Sequence, residues 1–360
     1  GVALDGQGGS QSPADDVVEG LPDGAVLLWR GGEEVREPLP ARVRIPPEGR
    51  LVYRIERAAC RTLAEGLRFP EGPALLADGT LLFVEVERGT LVRLAPGGRP
   101  ETVAFLGGGP NGLAIGPDGA AYVCNNGGFL FHEEPGMLRP IGTPDSYVGG
   151  SIQRVDLATG EVRTLYGGER GPFLKGPNDL VFDALGNFWF TDMGKTRDAL
   201  VDRARLFYAS PDGKSCREVV KHMLGANGIG LSPDEKALYV AETVTGRLWQ
   251  FDVTGPGAVA PRPWPSPHGG RLLHGSANYQ FFDSMAIEAG GNICVGTLVN
   301  GGITVVSPAG ELVEFVATPD VYATNLCFGG EGGRTAYITL STTGKIVATD
   351  WPRAGIPARY

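Results

Sequence analysis

Four polar residues, each opening a similar short segment, carry the main chemistry that this sequence offers. Glu71, Asn178, Asn227 and Asp283 would together supply four side-chain oxygens and two formal negative charges. Hard cations such as Ca²⁺ are bound by carboxylate and carboxamide oxygens. The charge count therefore suits one divalent ion that keeps open positions for water and a substrate.

The same residues also have a purely structural interpretation. Asn-Gly and Asn-Asp pairs are common in turns, where their side chains bond to the local backbone. Glu71 and Asp283 favour the cation site, because they place a carboxylate where other segments have asparagine. Two carboxylates held close together repel each other unless a cation or a proton lies between them.

These residues belong to six copies of one repeat. Each copy opens with a carboxylate or carboxamide and continues through about five mostly apolar or small residues to a turn. The copies begin at Glu71, Asn111, Asn178, Asn227, Asp283 and Asn325. Asp78-Gly79 and Asp118-Gly119 are favourable hairpin turns. Each copy therefore starts with a β-hairpin.

Further strands follow each hairpin. The second strand carries an aromatic or apolar residue, namely Phe83, Tyr122, Trp189, Tyr239, Cys294 or Tyr337. In most copies a third and a fourth strand come next, around short turns. Four antiparallel strands repeated six times predict an all-β fold, a six-bladed β-propeller. The opening residues then converge on the channel axis at one end, which we call the mouth.

The sixth copy lacks a fourth strand after residues 346–349, and residues 61–67 form a strand without a partner. We expect residues 61–67 to close the ring as the outer strand of the last blade, which also protects a sheet edge. The propeller would then span residues 61–360, and residues 1–60 would be an N-terminal extension. Its first 20 or so residues are polar and are expected to be mobile. Residues 26–29 and 51–55 could add strands.

The alternation of strand direction decides which loops lie at the mouth. Connections between second and third strands, and from one blade to the next, belong there. The insertions 129–149, 194–203 and 257–281 are assigned to these two classes, as expected if loops select the substrate on a rigid scaffold. His268 and His274 fall in the third insertion, where they could contact substrate or simply face solvent.

Composition excludes several other classes of protein. The net charge of −9 argues against a nucleic-acid surface, and no apolar run approaches the length of a membrane span. The five cysteines are scattered, which favours buried thiols over disulfides or a zinc site. With no signal peptide visible, we expect a cytoplasmic monomer or small homo-oligomer. No G-x-S-x-G or P-loop motif is present.

Four short motifs together resemble those of the SMP-30/gluconolactonase/LRE family and, more distantly, of diisopropylfluorophosphatase and the paraoxonases. The motifs are Phe69-Pro70-Glu71-Gly72-Pro73, Gly176-Pro177-Asn178-Asp179, Ala226-Asn227-Gly228-Ile229 and Phe282-Asp283-Ser284-Met285. The resemblance covers roughly residues 60–350. It implies that Glu71, Asn178, Asn227 and Asp283 bind calcium, or sometimes zinc or manganese. It also implies hydrolysis of lactones or related esters. Strictosidine synthase resembles the same fold but lacks this ligand set.

The residues can be given roles in metal-assisted hydrolysis of a lactone. The cation would be a Lewis acid toward the lactone carbonyl. Asp283 would be the general base, although a dication beside it should keep its pKa low; a nucleophilic role is the alternative. Asn111, Asn125 and Ser284 are assigned to the substrate pocket. Ser284 could also orient Asp283, and Asn325 could support the site.

Two other functions remain open from the sequence. The first is phosphotriester hydrolysis at the same site. The second is a propeller without catalysis, in which the metal is structural and the mouth binds a partner. Turnover that depends on metal separates an enzyme from the binding protein, because a binding protein would hydrolyse no lactone.

The N-terminal extension enters the closing strand from the end opposite the mouth, so it should lie below or beside the ring. We expect deletion of residues 1–60 to change stability or association more than turnover. Thermal unfolding, size-exclusion chromatography and lactone hydrolysis of the truncated protein test this. A truncated protein that folds but has lost all catalysis would contradict the placement.

Overall fold

Six antiparallel four-stranded units follow one another along the chain, and the predicted six-bladed propeller is confirmed. The computed structural model describes residues 18–20, 25–30, 33–38, 43–44, 59–168, 172–357 and 359–360. Within these residues, the only helical element is the 3-10 turn Glu331–Gly333. None of the described helices is long and apolar enough to cross a membrane.

Each blade runs from an innermost strand at the channel to an outer strand at the rim. The strands of blade 1 are Pro70–Leu75, Leu81–Glu85, Thr90–Leu94 and Glu101–Phe105. Those of blade 2 are Pro110–Ile115, Ala121–Asn125, Ser151–Val155 and Val162–Gly167. Those of blade 3 are Pro177–Phe182, Phe188–Asp192, Ala204–Ala209 and Cys216–Met223.

The remaining blades repeat the arrangement. Blade 4 contains Ala226–Leu231, Ala237–Glu242, Arg247–Gly255 and Arg271–Gly275, with Ala258–Ala260 added to its third strand. Blade 5 contains Phe281–Ile287, Ile293–Leu298, Gly302–Val306 and Leu312–Ala317. Blade 6 contains Ala323–Gly329, Thr335–Leu340, Lys345–Asp350 and Arg61–Ala64.

Blade 6 is built from both ends of the propeller sequence. Arg61–Ala64 pairs antiparallel with Lys345–Asp350 as its outer strand, which is the pairing that the sequence predicts. The innermost strands of neighbouring blades also contact each other all the way round, including those of blades 6 and 1. The ring is therefore closed both by hydrogen bonds within blade 6 and by packing at the axis.

Hydrophobic side chains of the second strands fill the spaces between blades. Tyr122 of blade 2, for example, packs against Phe182 and Phe188 of blade 3, with ring centroids 5.1 and 5.9 Å away. Burying such large aromatic side chains supplies much of the stability of a domain. The positions that the repeat predicts as apolar are therefore the contacts that hold neighbouring blades together.

Part of the N-terminal extension is described as strands. Val18–Gly20, Ala25–Arg30 and Glu33–Pro38 form a small antiparallel sheet, and Val43–Arg44 pairs with the outer strand of blade 5. The strand predicted at residues 26–29 lies within Ala25–Arg30, whereas the one predicted at 51–55 falls outside the described residues. Residues 1–17, and with them most of the segment expected to be mobile, also fall outside. The division of the chain at residue 60 stays a prediction.

Two of the three predicted mouth insertions connect second to third strands, as expected. Insertion 129–149 contains the hairpin Leu130–Glu134 with Met137–Gly142, and 194–203 contains Thr196–Arg197 with Leu200–Val201. The assignment of 257–281 to the mouth is wrong for most of its length. Residues 256–270 join the third strand of blade 4 to its fourth, a connection at the opposite end. Only residues 276–280 lead into blade 5 at the mouth.

The innermost strands approach so closely that certain positions accept only glycine. A Cβ atom on Gly112 would lie 2.5 Å from Asn178 O and 2.6 Å from the Asp179 carboxylate. Glycine therefore sets the spacing between blades 2 and 3 at the channel.

We expect Gly112→Ala to lower the free energy of unfolding by about 2 kcal/mol, because the new methyl group forces neighbouring backbone apart. Urea denaturation of the purified variant measures this. Gly290→Ala is the matched control, since a Cβ there meets nothing within 4 Å and should change stability by less than about 0.5 kcal/mol. Equal stability of the two variants would show that the axis can relax.

Candidate metal and substrate site

The candidate residues share one position in the blade. In each blade the pairing of the innermost with the second strand shifts register beside this position. Such irregularities bend a strand and redirect its side chains. The sequence-predicted residues Glu71, Asn111, Asn178, Asn227 and Asp283 all lie there and are at most 7% exposed. Their side chains therefore sit in a buried ring at the mouth end of the channel.

The sixth position of this ring is Thr324, and the placement of Asn325 in it is wrong by one residue. In blades 1 to 4, the backbone N–H of the residue after the second strand donates to the carbonyl oxygen two residues before the ring position, as Asn126 N does to Gly109 O. In blade 6 the corresponding bond runs from Ser341 N to Tyr322 O. The ring position of blade 6 is therefore two residues after Tyr322, at Thr324. Asn325 lies one step further along, where it nevertheless supports the site through Nδ2, which donates to Glu71 Oε2 at 3.1 Å.

Three carboxylates lie close enough at the axis to influence one another. Burial raises the pKa of Glu71 to about 7, although hydrogen bonds from Thr324, Gly72 and Asn325 act against this rise. The pKa of Asp283 is raised well above its usual value, first by burial and then by the charge of Glu71. Without a cation, the protein therefore disfavours ionisation of both groups at once.

Asp179 is the third of these carboxylates, and the sequence analysis did not single it out. Burial and the nearby Glu71 raise its pKa to about 7, while Ser284 donates a hydrogen bond that lowers it. Asp179 follows the ring position, where the copies in blades 1, 2 and 4 have glycine. A carboxylate where three other copies have glycine is the signal in the sequence that marks Asp179. The Asn178-Asp179 pair is also typical of a turn, so the sequence alone assigns Asp179 no chemical role.

The two asparagines assigned to the metal present their oxygens differently. Asn178 Oδ1 is buried without any hydrogen-bond partner, while its Nδ2 lies 3.7 Å from Met193 Sδ. Asn227 Nδ2 donates to Thr243 Oγ1 at 3.0 Å, which fixes the direction of Oδ1. An unpaired buried acceptor costs free energy unless something binds it. The orphan oxygen of Asn178 is therefore suited to bind a cation.

Ser284 does not orient Asp283 through its hydroxyl. The side chain is fully buried, and Oγ lies 3.4 Å from Asn227 Oδ1. It also donates to Asp179. Ser284 therefore links two neighbouring blades behind the ring, and its assignment to the substrate pocket stays a prediction.

Asn125, which the sequence assigns to the substrate pocket, is fully used in hydrogen bonds to its surroundings. Asn125 Oδ1 accepts from the amides of Gly109 and Gly127, and Nδ2 donates to Gly107 O and to Gln153. These bonds leave no polar atom of Asn125 for a substrate, so its side chain acts structurally. Asn126, which follows it, instead directs Nδ2 at Asn111 Oδ1 in the ring, at 3.5 Å.

Neither candidate histidine joins the polar ring through the contacts that it makes. His268 packs its ring against Trp249 and Phe251, with centroids 4.4 and 5.7 Å away, on the flank of blade 4. His274 lies in the outer strand of that blade, and its Nδ1 is 3.0 Å from Gly310 O of blade 5. Both therefore serve packing between outer parts of the propeller.

The ring nevertheless has the donor set of a hard cation. Within the described part of the chain, no three His, Cys, Asp or Glu side chains form a metal cluster by themselves. A cation here would depend on carboxamide oxygens in addition to carboxylates, as hard cations readily do. Glu71, Asn178, Asn227 and Asp283 supply both kinds, and the orphan oxygen of Asn178 fits a missing positive partner.

This six-bladed fold and its motifs match a known protein family. Residues 69–342 match the family model described as the SMP-30/Gluconolactonase/LRE-like region, and the chain belongs to this family. It is 27% identical over 296 residues to lactonase drp35 of Staphylococcus saprophyticus, covering 82% of both chains. It is 25% identical to a gluconolactonase of Zymomonas mobilis, covering 78% of each. The resemblance stated from the sequence is confirmed.

Solved structures support the fold. A calcium-binding regucalcin from Agrobacterium tumefaciens superposes with a TM-score of 0.66 at 17% identity, covering 84% of this chain and 98% of the other. A gluconolactonase from Xanthomonas campestris superposes with a TM-score of 0.64 at 22% identity, covering 87% and 99%. Both likenesses cover almost the whole of the known structure.

We expect Ca²⁺ to raise the melting temperature, because an ion that binds only the folded state stabilises it by mass action, by about 2.7 kcal/mol at 100 times Kd. Asn178→Ala should leave the metal-free protein almost as stable, since it removes an unpaired acceptor, but should shrink the Ca²⁺-dependent rise. Differential scanning fluorimetry with and without a chelator measures both.

The matched control is Asn300→Ala, which removes an exposed asparagine from a mouth turn of blade 5 and should respond to Ca²⁺ like the parent. A melting temperature that no divalent cation changes, in parent or variant, would contradict a cation site at the ring.

Proposed function

We propose that this protein is a metal-dependent hydrolase of lactones, acting at the mouth of the propeller channel. Membership of the family and relatives named lactonase and gluconolactonase support the reaction class. The observation that carries the site is the orphan oxygen of Asn178 in a ring that also holds two buried carboxylates of raised pKa.

Four side chains from four blades would hold the ion. Glu71, Asn178, Asn227 and Asp283 provide oxygens that, for Ca²⁺, should lie about 2.3–2.6 Å from it. Ca²⁺ suits this all-oxygen set best, with Zn²⁺ or Mn²⁺ as alternatives, and the regucalcin with the same fold is described as calcium-binding. When bound, the cation supplies Lewis acidity toward the ester carbonyl and favours the ionised form of both carboxylates.

Asp283 is the proposed general base. Its carboxylate takes a proton from the water whose oxygen attacks the carbonyl carbon of the lactone. The ring C–O bond then breaks, and the released alkoxide oxygen takes the proton that Asp283 gained, so that Asp283 is ionised again and the product is a hydroxy acid. Asn227 hydrogen-bonds to Asp283 and is itself held by Thr243 and Ser284, and Asn111 binds the substrate from the same ring.

We expect Asp283→Ala to lose metal and activity together, because it removes a ligand and a charge. Asp283→Asn keeps the shape and one ligand oxygen but removes the base, so kcat should fall at least about 100-fold with a smaller loss of metal affinity. Initial rates on sugar, aromatic and aliphatic lactones, with Ca²⁺, Zn²⁺ or Mn²⁺ added to metal-free protein, measure this alongside metal titrations.

Asp212→Asn is the matched control, since this aspartate lies in an exposed turn of blade 3 and should retain full activity. Activity that survives Asp283→Ala would disprove the assignment. Turnover of a phosphotriester without any lactone would favour the alternative reaction at the same ring. No turnover with any metal would leave a binding propeller with a structural ion.

A further inference from the structure

Lys195 is a buried lysine at the mouth whose ammonium group has no carboxylate partner among the described residues. The residue is 4% exposed, and Nζ donates to Asn126 Oδ1 at 3.0 Å and to Gly128 O at 2.6 Å. Nζ also lies 3.9 Å from the centroid of the Phe129 ring, a favourable cation–π distance. A buried amine is costly, so these contacts must hold it in one place.

The environment of Lys195 is defined by two mouth insertions. Lys195 lies in the insertion of blade 3, and its three partners lie in residues 126–129, which lead from the second strand of blade 2 into its insertion. Thr143 Oγ1 donates to Thr196 O at 2.9 Å, which is a second link between the same insertions. The two loops therefore form one wall of the mouth, and Lys195 is its buried link.

The charge state of Lys195 does not alter this link. Burial lowers its pKa to about 7, Asp192 raises it and Arg197 lowers it further. A neutral amine still has two N–H donors, enough for Asn126 Oδ1 and Gly128 O. The contacts therefore persist in both protonation states.

Lys195 and the backbone N–H of Gly128 together decide which way two carboxamides face. Asn126 Oδ1 accepts both from Lys195 and from Gly128 N, the latter at 2.9 Å. Its Nδ2 must therefore point the other way, where Asn111 Oδ1 lies 3.5 Å away. Because the oxygen of Asn111 accepts this bond, its Nδ2 remains to donate elsewhere. A free N–H donor in the ring suits an oxygen acceptor on a ligand.

We infer that Lys195 is a positioning residue which, through Asn126, turns the N–H donors of Asn111 toward the substrate. This inference rests on the proposed function, because Asn111 contacts substrate only if the ring is the hydrolase site. The bound group at Asn111 is then a hydrogen-bond acceptor, such as a carbonyl, ring or hydroxyl oxygen of the lactone.

Lys195→Met keeps the length of the side chain but removes both donors. We expect KM to rise roughly tenfold, the effect of losing one well-placed hydrogen bond to substrate, with kcat changed less than about twofold. On an Asn111→Ala background the same substitution should raise KM no further, because coupled residues are not additive. Lys221→Met, which removes an exposed lysine from the outer strand of blade 3, is the charge-matched control.

A second variant tests the direction of the carboxamides while keeping Lys195. Asn126→Asp offers two acceptor oxygens, so Asn111 should turn its Nδ2 toward residue 126 and away from substrate. KM should again rise roughly tenfold, with the metal affinity unchanged. An unchanged KM in both variants, or additive effects of Lys195→Met and Asn111→Ala, would overturn the inference.

Hydrogen exchange separates this inference from the proposed function. Lys195→Met should speed amide exchange in residues 108–112 and 126–129 but not around Glu71 or Asp283. Unchanged exchange in the first two segments would overturn the positioning role even in an active enzyme. If the parent hydrolyses no lactone while exchange changes as expected, the proposed function fails and the Lys195–Asn126–Asn111 link stands.

Discussion

Convergence of six innermost strands on one axis is the constraint on which the rest of this structure depends. Each strand brings the residue at its register shift to the same narrow place, so side chains distant in sequence become neighbours. Asn325, which follows the ring position of blade 6, donates a hydrogen bond to Glu71 although 254 residues of chain separate the two. Glycine at position 112 is the steric counterpart, since the approach of blades 2 and 3 leaves no space for a Cβ atom.

Convergence also explains the electrostatics of the ring. Burial at the centre of the propeller removes most of the solvation of these carboxylates, and the pKa values of Glu71, Asp179 and Asp283 are raised accordingly. The orphan oxygen of Asn178 lies in the same ring, and no hydrogen-bond donor of the described residues reaches it. The buried carboxylates do not favour folding. The closure of the ring in blade 6 and the packing between blades therefore have to supply the free energy of folding.

Side-chain contacts join two of the mouth insertions to each other. The insertions of blades 2 and 3 are linked through Lys195 and through Thr143, so they form one surface beside Asn111. The long connection of blade 4, residues 256–270, lies at the end opposite the mouth. It adds a short strand to the sheet of that blade and packs His268 against Trp249. The consequence of an insertion thus depends on the pair of strands that it connects.

The sequence by itself determined the repeat, the number of blades, the closing strand and the ring residues of five blades, because local patterns of turns and apolar residues record them. Only the tertiary structure decided the rest. The ring residue of blade 6 is Thr324 and not Asn325, one residue earlier than predicted. A shift of one residue in strand register cannot be recognised from the sequence of so short a strand. Asn126, and not Asn125, contacts the ring residue Asn111, and residues 256–270 lie at the end opposite the mouth. Both placements depend on which strands pair, and the sequence does not show that pairing directly. Asp179 and Lys195 gained their importance from burial, which arises only when distant blades close around them.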